Sequence, residues 1–278
     1  MARIAYDPVK DRFSSWISGS RLLRRLFYFA LDLLFLRSWH LRKKLRQLGS
    51  PLDRDKSRWS LLDAGSGFGQ YDRFILRRFR NVQVLSVDVK EDYIQSCRHY
   101  FRRDIEEGRI RFQVKDLLEP MEEEAHDLIL CIDVLEHIED DITVIRNMKQ
   151  ALKPDGWLLI HSPSHRSGDD AEPEEGSFVG EHARTGYSAE DIAEKFRKAG
   201  LEVEETRYTY GLAGHLSWRL TIQMPMLLLN RIGMAGILLL LLYYPFVLPF
   251  TLLLNLLDLF TPNRRGHGIM AVGRRPTR

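Results

Sequence analysis

An apolar run that ends in three alternating glycines limits the fold of this 278-residue chain more than any other feature. Residues 61–64 (LLDA) have the composition of a buried strand, and Gly65, Gly67 and Gly69 follow directly. Glycines here let the backbone turn sharply, approach a bound molecule closely and start a helix against the strand. A strand, a glycine-rich turn and a helix in this order indicate the nucleotide-binding half of a parallel α/β sheet.

Strands and helices alternate after this turn. We predict strands over residues 60–64, 83–87, 110–114, 128–132 and 157–162, with helices that start near Tyr71, Asp92 and Asp141. This alternation predicts parallel strands joined by crossover helices. Residues 153–156 (KPDG) are predicted to form a turn that leads into the fifth strand. Two further strands are predicted over residues 202–210 and 268–273.

The end of the second predicted strand carries the carboxylate expected of a nucleotide site. Asp88 lies 19 residues after Gly69, where a carboxylate accepts both ribose hydroxyls in this architecture. Glycine-rich turns also occur in NAD and FAD sites, but Gln70 stands where a dinucleotide fingerprint continues towards another glycine. The pattern favours a cofactor without phosphate, and an NAD-dependent or nucleotide-sugar enzyme is the alternative.

Five ordered segments resemble the motifs of class I S-adenosylmethionine-dependent methyltransferases: LLDAGSGFG, SVD, QVKDLLE, DLILCIDVLEHIED and LKPDGWLLIHSPS. The resemblance covers residues 59–210. It implies an α/β fold with a Rossmann-like, seven-stranded, mostly parallel sheet whose last strand is antiparallel, and S-adenosyl-L-methionine as the cofactor. Asp88 would then bind ribose, Asp116 adenine, and Asp63 and Asp133 would lie near the methionine part. The implied cofactor-binding residues are Asp63, Gly65, Ser66, Gly67, Gly69, Asp88, Val89, Asp116, Leu117 and Asp133.

The acceptor side of the site is predicted from polar residues near these motifs, because methyl transfer to oxygen or carbon usually needs a base. The predicted catalytic residues are His182, His137 and Tyr187, and the predicted acceptor-binding residues are Arg184 and His165. Packing of a loop explains the cluster at 182–187 equally well, and His137 could equally orient its own motif. His161, on the fifth strand, is compatible with a place in the core.

A metal site is not predicted. Glu136 and His137 are adjacent, and two adjacent residues of a helix cannot easily face one ion.

The first 50 residues predict basic amphipathic helices. Residues 1–60 hold 14 Lys and Arg against 5 Asp and Glu, and apolar side chains are concentrated over residues 22–36. This composition is typical of a helix at a membrane interface, although a helix that caps the catalytic domain would look similar. Basic segments beside apolar ones fit an anionic membrane surface better than a nucleic-acid groove, so no nucleic-acid partner is predicted.

A second apolar segment covers residues 232–257, which contain no charged side chain, whereas about 20 apolar residues are enough to span a bilayer. Pro245 and Pro249 interrupt this segment, where a continuous helix would be kinked or broken. If residues 268–273 pair with residues 202–210 in one sheet, both ends of the segment lie on one side of a membrane.

We therefore predict two short helices that meet at the prolines, dip into the membrane and return. Arg219 and Arg231 before the segment, and Arg264 and Arg265 after it, would mark the cytoplasmic interface. Trp218, Tyr243 and Tyr244 would anchor there, or the two tyrosines would pack within the hairpin. A dimerisation surface or a hydrophobic substrate tunnel is the alternative reading of this apolar segment.

Three regions follow from these patterns. Residues 1–50 form basic amphipathic helices, residues 51–211 and 263–278 form the methyltransferase domain, and residues 212–262 form an inserted, membrane-associating helical hairpin. The predicted function is methyl transfer to a lipid, isoprenoid or quinone-type acceptor at the cytoplasmic face of a membrane. The alternatives are a methyltransferase for a soluble small molecule that uses the hairpin only as an anchor, and a non-catalytic cofactor-binding membrane protein.

Overall fold

The computed structural model describes residues 20–167, 183–233 and 235–277 of the chain. Seven strands form one sheet in the order β3-β2-β1-β4-β5-β7-β6, in which β7 alone runs antiparallel to its neighbours. This is the predicted fold class. The strands are β1 (Trp59–Ala64), β2 (Val82–Asp88), β3 (Ile110–Val114), β4 (His126–Ile132), β5 (Leu152–Pro163), β6 (Glu202–Thr209) and β7 (Gly268–Arg274).

Helices cover both faces of the sheet and extend beyond one edge. They are α1 (Arg21–Leu34), α2 (Leu36–Asp55), α3 (Gln70–Arg78), α4 (Glu91–Tyr100), α5 (Arg102–Glu106), α6 (Asp141–Ala151), α7 (Ala189–Ala199), α8 (Leu212–Trp218), α9 (Met224–Ile232) and α10 (Ala235–Phe260). A 3-10 turn covers Leu135–His137, and a π-helical turn, Arg219–Gln223, joins α8 to α9.

The core has two layers because the central strands are buried on both faces. Leu61 and Leu62, neighbours on β1, belong to the two opposite clusters of buried side chains. Alternate residues of a strand point to opposite faces, so a central strand of a parallel sheet is apolar throughout. Leu41 and Leu45 of α2 lie in the same cluster as Leu61, which makes this N-terminal helix part of the domain core.

Two predicted boundaries are wrong. Helix α2 continues to Asp55, past the predicted boundary between residues 50 and 51, with Pro51 inside it. Strand β5 begins at Leu152, so the predicted turn at 153–156 lies within the strand as an irregularity. The left-handed φ of +63° at Asp155 and the shift in register opposite His126 accommodate it.

Helix α1 turns its polar face towards the domain and its apolar face outwards. Arg24 is 2% exposed, and its Nη2 donates to the carbonyl of Phe68 at 2.9 Å. The Tyr28 hydroxyl donates to the same carbonyl. The exposed apolar side chains on the opposite face are Leu22, Leu23, Leu26 and Phe29. The helix therefore caps the glycine-rich turn and also presents an apolar surface, which combines the two alternatives left open by its sequence.

The apolar segment does form a helical hairpin, but the prolines are not its turn. Pro245 and Pro249 lie inside the continuous helix α10, and the chain reverses at Gly233, whose φ is +57°. The first arm consists of α8, the π-helical turn and α9. Tyr243 and Tyr244 join the two arms, because their hydroxyls donate to the carbonyls of Leu220 and Thr221 at 2.9 Å each.

A buried carboxylate holds the base of this hairpin to the domain. Asp258 of α10 accepts hydrogen bonds from the backbone N–H groups of Gly211 at 2.7 Å and Gly214 at 3.2 Å, at the start of α8. Its other oxygen lies 2.9 Å from Nε2 of His40 on α2. Burial lowers the pKa of His40, and the bond to Asp258 opposes this shift. One side chain thus ties both hairpin arms to the N-terminal helix.

We predict that Asp258→Ala destabilises the protein by about 3 kcal/mol, because three buried donors lose their acceptor. Urea unfolding measures this free energy. Asp55→Ala is the matched control, since Asp55 pairs with Arg54 at the surface, where the loss of an exposed ion pair changes stability little. Equal losses in the two variants would contradict a structural role for the buried carboxylate.

Candidate cofactor and acceptor site

The glycine-rich turn leaves room for a ligand at one point only along its length. Gly65, Gly67 and Gly69 all have left-handed φ angles, of 84°, 53° and 71°. A Cβ at Gly65 would overlap the side chain of Val134, and one at Gly69 would lie 2.8 Å from the ring of Phe101. A Cβ at Gly67 would meet no atom of the described residues within 4 Å. Gly65 and Gly69 are therefore required by packing, whereas no described residue crowds Gly67.

Asp88 closes this turn from the end of β2. Its Oδ2 accepts from the N–H of Gly67 and its Oδ1 from the N–H of Lys90, each at 2.9 Å. A carboxylate oxygen accepts two hydrogen bonds, so both oxygens retain capacity for the hydroxyls of a ribose. Asp88 thus has the position and the chemistry predicted for it.

The remaining predicted adenosine contacts lie beside Asp88 in the sheet. Val89 is exposed directly after β2, and Asp116 and Leu117 follow the neighbouring strand β3. Asp116 is exposed and accepts from the N–H of Leu118 at 2.9 Å, whereas Leu117 is buried. An apolar residue, a carboxylate and the open glycine at one edge of the sheet fit an adenosine group.

Ser66 supplies a further indication that a polar ligand fits here. Its Oγ is buried and has no hydrogen-bond partner among the described residues. An unpaired buried hydroxyl is unfavourable by about 1–3 kcal/mol, and a polar group of a bound cofactor would satisfy it. The residues present are therefore compatible with S-adenosylmethionine.

Asp63, which was predicted to lie near the methionine part, is 1% exposed and lies beneath the turn, beside Asp72 of α3. Its Oδ2, like the Oγ of Ser66, has no hydrogen-bond partner among the described residues. Burial raises the pKa of Asp63, and the neighbouring Asp72 raises it further. Burial also raises the pKa of Asp72, to about 7, although the Ser86 hydroxyl donates to it at 2.7 Å and opposes this shift. Both shifts favour the protonated carboxyls, which lie together under the turn.

Asp133 occupies the edge of the site at the end of β4. Its φ is +52°, a conformation that non-glycine residues rarely adopt and that often marks functional positions. One carboxylate oxygen lies 2.8 Å from Nδ1 of His161, and the other forms an ion pair with Arg37. Asp133 therefore lies between a strand of the sheet and an N-terminal helix, and its place beside the methionine part of the cofactor stays a prediction.

His161 holds Asp133 from the core side. Burial lowers the pKa of His161, and Arg37 lowers it further, so the imidazole is neutral. Its Nδ1–H donates to Asp133, and its Nε2 accepts from the Thr209 hydroxyl at 3.1 Å. With both nitrogens occupied, His161 orients Asp133 and does not act as a free base.

Sequence reasoning missed Arg37 and Glu136. Arg37 lies on α2, outside the motifs. In the sequence it could have been noticed as a single charged residue within an apolar helical stretch. Glu136 is buried, and its Oε2 accepts from the Ser162 hydroxyl at 2.9 Å. Burial raises the pKa of this carboxyl. Its position shortly after β4, within the segment DLILCIDVLEHIED, could have identified Glu136 as a site residue from the sequence.

Arg184 and Tyr187 form a structural network, which corrects their predicted acceptor-binding and catalytic roles. The Tyr187 hydroxyl donates to Asp141 at 2.6 Å and accepts from Arg184 at 2.8 Å. Arg184 also pairs with Asp141 and donates to the carbonyls of Ile138 and Glu139. These contacts involve both terminal nitrogens of the guanidinium group and hold Arg184 against the start of α6.

The three predicted histidines have different outcomes. His182 lies outside the described residues. His165 is exposed in the turn after β5, and its N–H donates to the carbonyl of Tyr187 at 3.2 Å. His137 lies on the 3-10 turn that follows Asp133 and is half-buried. Within the described ranges, no group of three or more His, Cys, Asp or Glu residues has the arrangement of a metal site.

Comparisons with known proteins agree with this geometry. Residues 62–160 match the family described as a methyltransferase domain. Over 152 residues, the chain is 27% identical to 27-O-demethylrifamycin SV methyltransferase of Amycolatopsis mediterranei. The aligned region covers 52% of this chain and 54% of that protein. The chain is 24% identical over 104 residues to the ubiquinone biosynthesis O-methyltransferase of Leptothrix cholodnii, covering 36% of this chain and 42% of that protein. The chain spans about half the length of the curated relatives that it matches.

Solved structures share the fold. Phosphoethanolamine N-methyltransferase 2 of Haemonchus contortus, in complex with S-adenosyl-L-methionine, superposes with a TM-score of 0.55 at 19% identity, over 86% of this chain and 53% of that one. The cyclase SpnF superposes with a TM-score of 0.56 at 16% identity, over 86% of this chain and 80% of that one. A cyclase with this fold shows that the fold alone does not set the reaction.

We predict that Asp88→Ala weakens binding of S-adenosylhomocysteine by about 100-fold, because two charge-assisted hydrogen bonds to ribose are lost. Isothermal titration calorimetry on the whole protein measures the dissociation constant. Asp92→Ala, an exposed carboxylate on α4, is the control and leaves affinity unchanged. Unaltered affinity in Asp88→Ala would place the ribose elsewhere.

We also predict that the Asp63–Asp72 pair makes stability fall as pH rises. A carboxyl whose folded pKa is raised keeps its proton in the native state, so its stabilisation is complete below the unfolded value near 4 and is lost as pH rises to about 7. Asp72→Asn removes one of the two titrating carboxyls. The free energy of unfolding of this variant, relative to that of the wild type, should therefore increase by roughly 1–2 kcal/mol between about pH 5 and about pH 8. Urea unfolding at both pH values measures this, and a constant difference would contradict it.

Proposed function

We propose that this chain is a class I S-adenosylmethionine-dependent methyltransferase and that it transfers a methyl group to a lipid-like acceptor at a membrane surface. The cofactor, when bound, supplies an activated methyl group on a sulfonium sulfur. The enzyme must then orient the acceptor towards that methyl group and exclude water. The single observation that carries the membrane part is the exposed apolar hairpin beside the sheet.

Four features of the chain hold the cofactor in this proposal. Asp88 accepts from the ribose hydroxyls, and the backbone at Gly67 allows close approach. Asp133 and Arg37 have opposite charges and lie together at the end of β4, which matches the ammonium and carboxylate groups of the methionine part. Since Arg37 belongs to α2, the N-terminal helices complete the cofactor site.

The hairpin is too apolar and too exposed to be an ordinary surface element. Residues Leu238–Phe260 are long and apolar enough to cross a membrane, and most of their side chains are not buried. Monomeric soluble proteins seldom expose large contiguous apolar patches. The large exposed side chains on α9 and α10 are Met224, Met226, Leu227, Ile232, Leu238, Leu239, Leu241, Leu242, Phe246, Phe250, Leu253, Leu256, Leu257 and Phe260.

The position of Arg231 favours a hairpin that lies along the membrane surface. Arg231 is exposed two residues before the turn at Gly233, at the tip of the hairpin and not at its base as predicted from the sequence. A hairpin that enters the membrane tip first would carry this charge into the hydrocarbon core, which is costly. An amphipathic hairpin in the interface keeps Arg231 and Arg219 among the head groups. Exposed Arg264 and Arg265 beyond the base favour the anionic cytoplasmic leaflet.

The relative named for ubiquinone biosynthesis favours the same class of acceptor, since quinone precursors with isoprenoid chains partition into membranes. A soluble small-molecule acceptor remains the competing proposal. In that case the hairpin is an anchor only, and turnover does not depend on a lipid phase.

Incubation of the protein with methyl-labelled S-adenosylmethionine and a membrane lipid extract tests the reaction. We expect label in the organic phase, and none when the protein is replaced by Asp88→Ala. Label that enters only water-soluble metabolites would reject the lipid acceptor, and the absence of any labelled product would reject the enzyme.

We predict that Phe246→Glu weakens binding to anionic vesicles by roughly 30-fold or more, because Phe246 is 82% exposed near the middle of α10 and its ring adds about 2 kcal/mol of apolar transfer energy. Vesicle co-sedimentation measures the partition. Gln95→Glu adds the same charge to an exposed site on α4 and serves as the control. Equal binding by the two variants would exclude α10 as the membrane contact.

A further inference from the structure

An open pocket lies where α1 and α2 meet the end of the apolar hairpin. Its volume is about 370 Å³, and its lining residues belong to the last turn of α1, the N-terminal part of α2 and the last turn of α10. Arg37, the residue of α2 that pairs with Asp133, does not line it. The pocket is therefore separate from the cofactor site.

Cations dominate this pocket. Arg42, Lys43 and Arg46 line it, against the single carboxylate of Asp32. Asp32 forms an ion pair with Arg42, and Nη1 of Arg73 lies 3.9 Å from the same carboxylate oxygen. Neither Lys43 nor Arg46 forms an ion pair with a carboxylate among the residues that the structure describes. The pocket thus keeps two positive charges that no described carboxylate pairs with.

The cations in and around the pocket also repel one another. Burial lowers the pKa of Arg46, and the neighbouring Arg42 and Arg78 lower it further. Burial lowers the pKa of Lys43 as well, and Arg207 adds to this shift. A guanidinium group stays protonated in proteins, so these directions indicate positive charge that the surroundings do not balance. A bound anion would relieve the repulsion.

Aromatic rings hold the two cations in place without neutralising them. The guanidinium carbon of Arg46 lies 5.3 Å from the ring centre of Phe74. Nζ of Lys43 lies 4.4 Å from the ring centre of Phe260 and donates to the carbonyl of Leu259 at 3.3 Å. An ammonium group has further N–H donors beyond this one, and no acceptor among the described residues takes a hydrogen bond from the Arg46 side chain. Both side chains can therefore donate to an anionic oxygen in the pocket.

The pocket adjoins the apolar surface of the hairpin. Phe260 lines it and is 69% exposed, and the exposed side chains of Leu256 and Leu257 continue the apolar surface along α10. Trp39 also lines the pocket, and tryptophan is enriched at the depth of lipid head groups. A phosphate bound by the cations would thus have an apolar helix beside it. These are the surroundings of a phospholipid and not those of a free anion.

We propose, on the basis of the membrane association above, that this pocket binds the phosphate group of an anionic phospholipid, with Arg46 and Lys43 as its donors. The acyl chains lie along the exposed apolar side chains of α10. Because both donors belong to α2, the bound lipid holds the helix that completes the cofactor site against the membrane surface.

The charges of the pocket select among phospholipids. Choline and ethanolamine head groups carry an ammonium group close to the phosphate, and in the pocket it would lie among Arg42, Lys43 and Arg46. Repulsion of like charges makes that unfavourable. Phosphatidylglycerol and phosphatidic acid have no such group, so we expect the pocket to prefer lipids of this class.

Two measurements on the whole protein test the assignment. Co-sedimentation compares phosphatidylcholine vesicles with and without phosphatidylglycerol, and calorimetry measures binding of the short-chain lipid dihexanoyl-phosphatidylglycerol. We expect Arg46→Gln to weaken binding to the phosphatidylglycerol vesicles and to the short-chain lipid by about 10-fold or more, since charge-assisted hydrogen bonds to phosphate are lost. Arg46→Lys, which keeps the charge, should retain most of the affinity.

Arg197→Gln is the matched control. Arg197 is exposed on α7, which packs against the face of the sheet opposite to α2, so its loss should leave both measurements unchanged. Affinity for S-adenosylhomocysteine is expected to be the same in all three variants and in the wild type, which shows that they fold.

The outcomes separate the pocket from the membrane association on which it rests. Equal loss of vesicle binding in Arg46→Gln and Arg197→Gln would indicate a general electrostatic attraction and overturn the pocket. Equal affinity for the dihexanoyl lipids of choline and glycerol would overturn the preference for an anionic head group. Inorganic phosphate that binds as tightly as the short-chain lipid would assign the pocket to free phosphate instead. If the wild type sediments with neither kind of vesicle, the membrane part of the proposed function fails and the lipid pocket fails with it.

Discussion

The pairing of β7 between β5 and β6 determines how the whole molecule is arranged. Because β7 is hydrogen-bonded to both neighbours along its length, the chain must return to the same sheet after the apolar segment. A single helix that leaves the domain is therefore impossible, and the segment folds back as two arms. The same pairing places residues 266–268 at the carboxyl edge of β5, next to the ends of the strands that carry the site.

Helix α2 connects the parts that β7 brings together. Arg37, in its first turn, pairs with Asp133 in the cofactor site, and His40, almost one turn later, contacts Asp258 at the base of the hairpin. Lys43 follows on the same helix and donates to the carbonyl of Leu259 at 3.3 Å, near the end of α10. A cation near the C-terminus of a helix is favourable. The cofactor site and the apolar hairpin are thus held by successive turns of one helix, so a shift of either affects the other.

Several site residues were predictable because their roles depend on backbone conformation. The glycines at 65, 67 and 69 are required where the chain turns with left-handed φ angles, and Asp88 ends a strand that neighbours this turn. Such relations are local, or connect consecutive strands of a parallel sheet, and so leave a pattern in the sequence. Asp63 shows the limit of the pattern, because its position in the motif is clear but its burial against Asp72 follows from the packing of α3.

The roles of the polar residues on the acceptor side were predicted less well. A short distance along the sequence does not show which neighbours a side chain faces in the folded protein. Arg184 and Tyr187 lie three residues apart and do contact each other, but both face Asp141. His40 and Asp258, in contrast, are 218 residues apart in the chain, and the reversal at Gly233 together with the return of α10 brings them into contact. No pattern within either segment indicates this contact.

The amino-acid sequence by itself determined the α/β class, the order of the motifs, the glycine-rich turn with Asp88, and the presence of an apolar segment that must return to the sheet. These follow from periodicity, from glycine conformations and from the lengths of apolar runs, which are local properties. The tertiary structure alone decided the turn at Gly233, the outward apolar face of α1, the burial of Asp63 and the approach of Arg37 to Asp133. Each of these depends on which side chains meet across elements distant in the chain, and burial and charge pairing between such elements are set only when the whole domain packs.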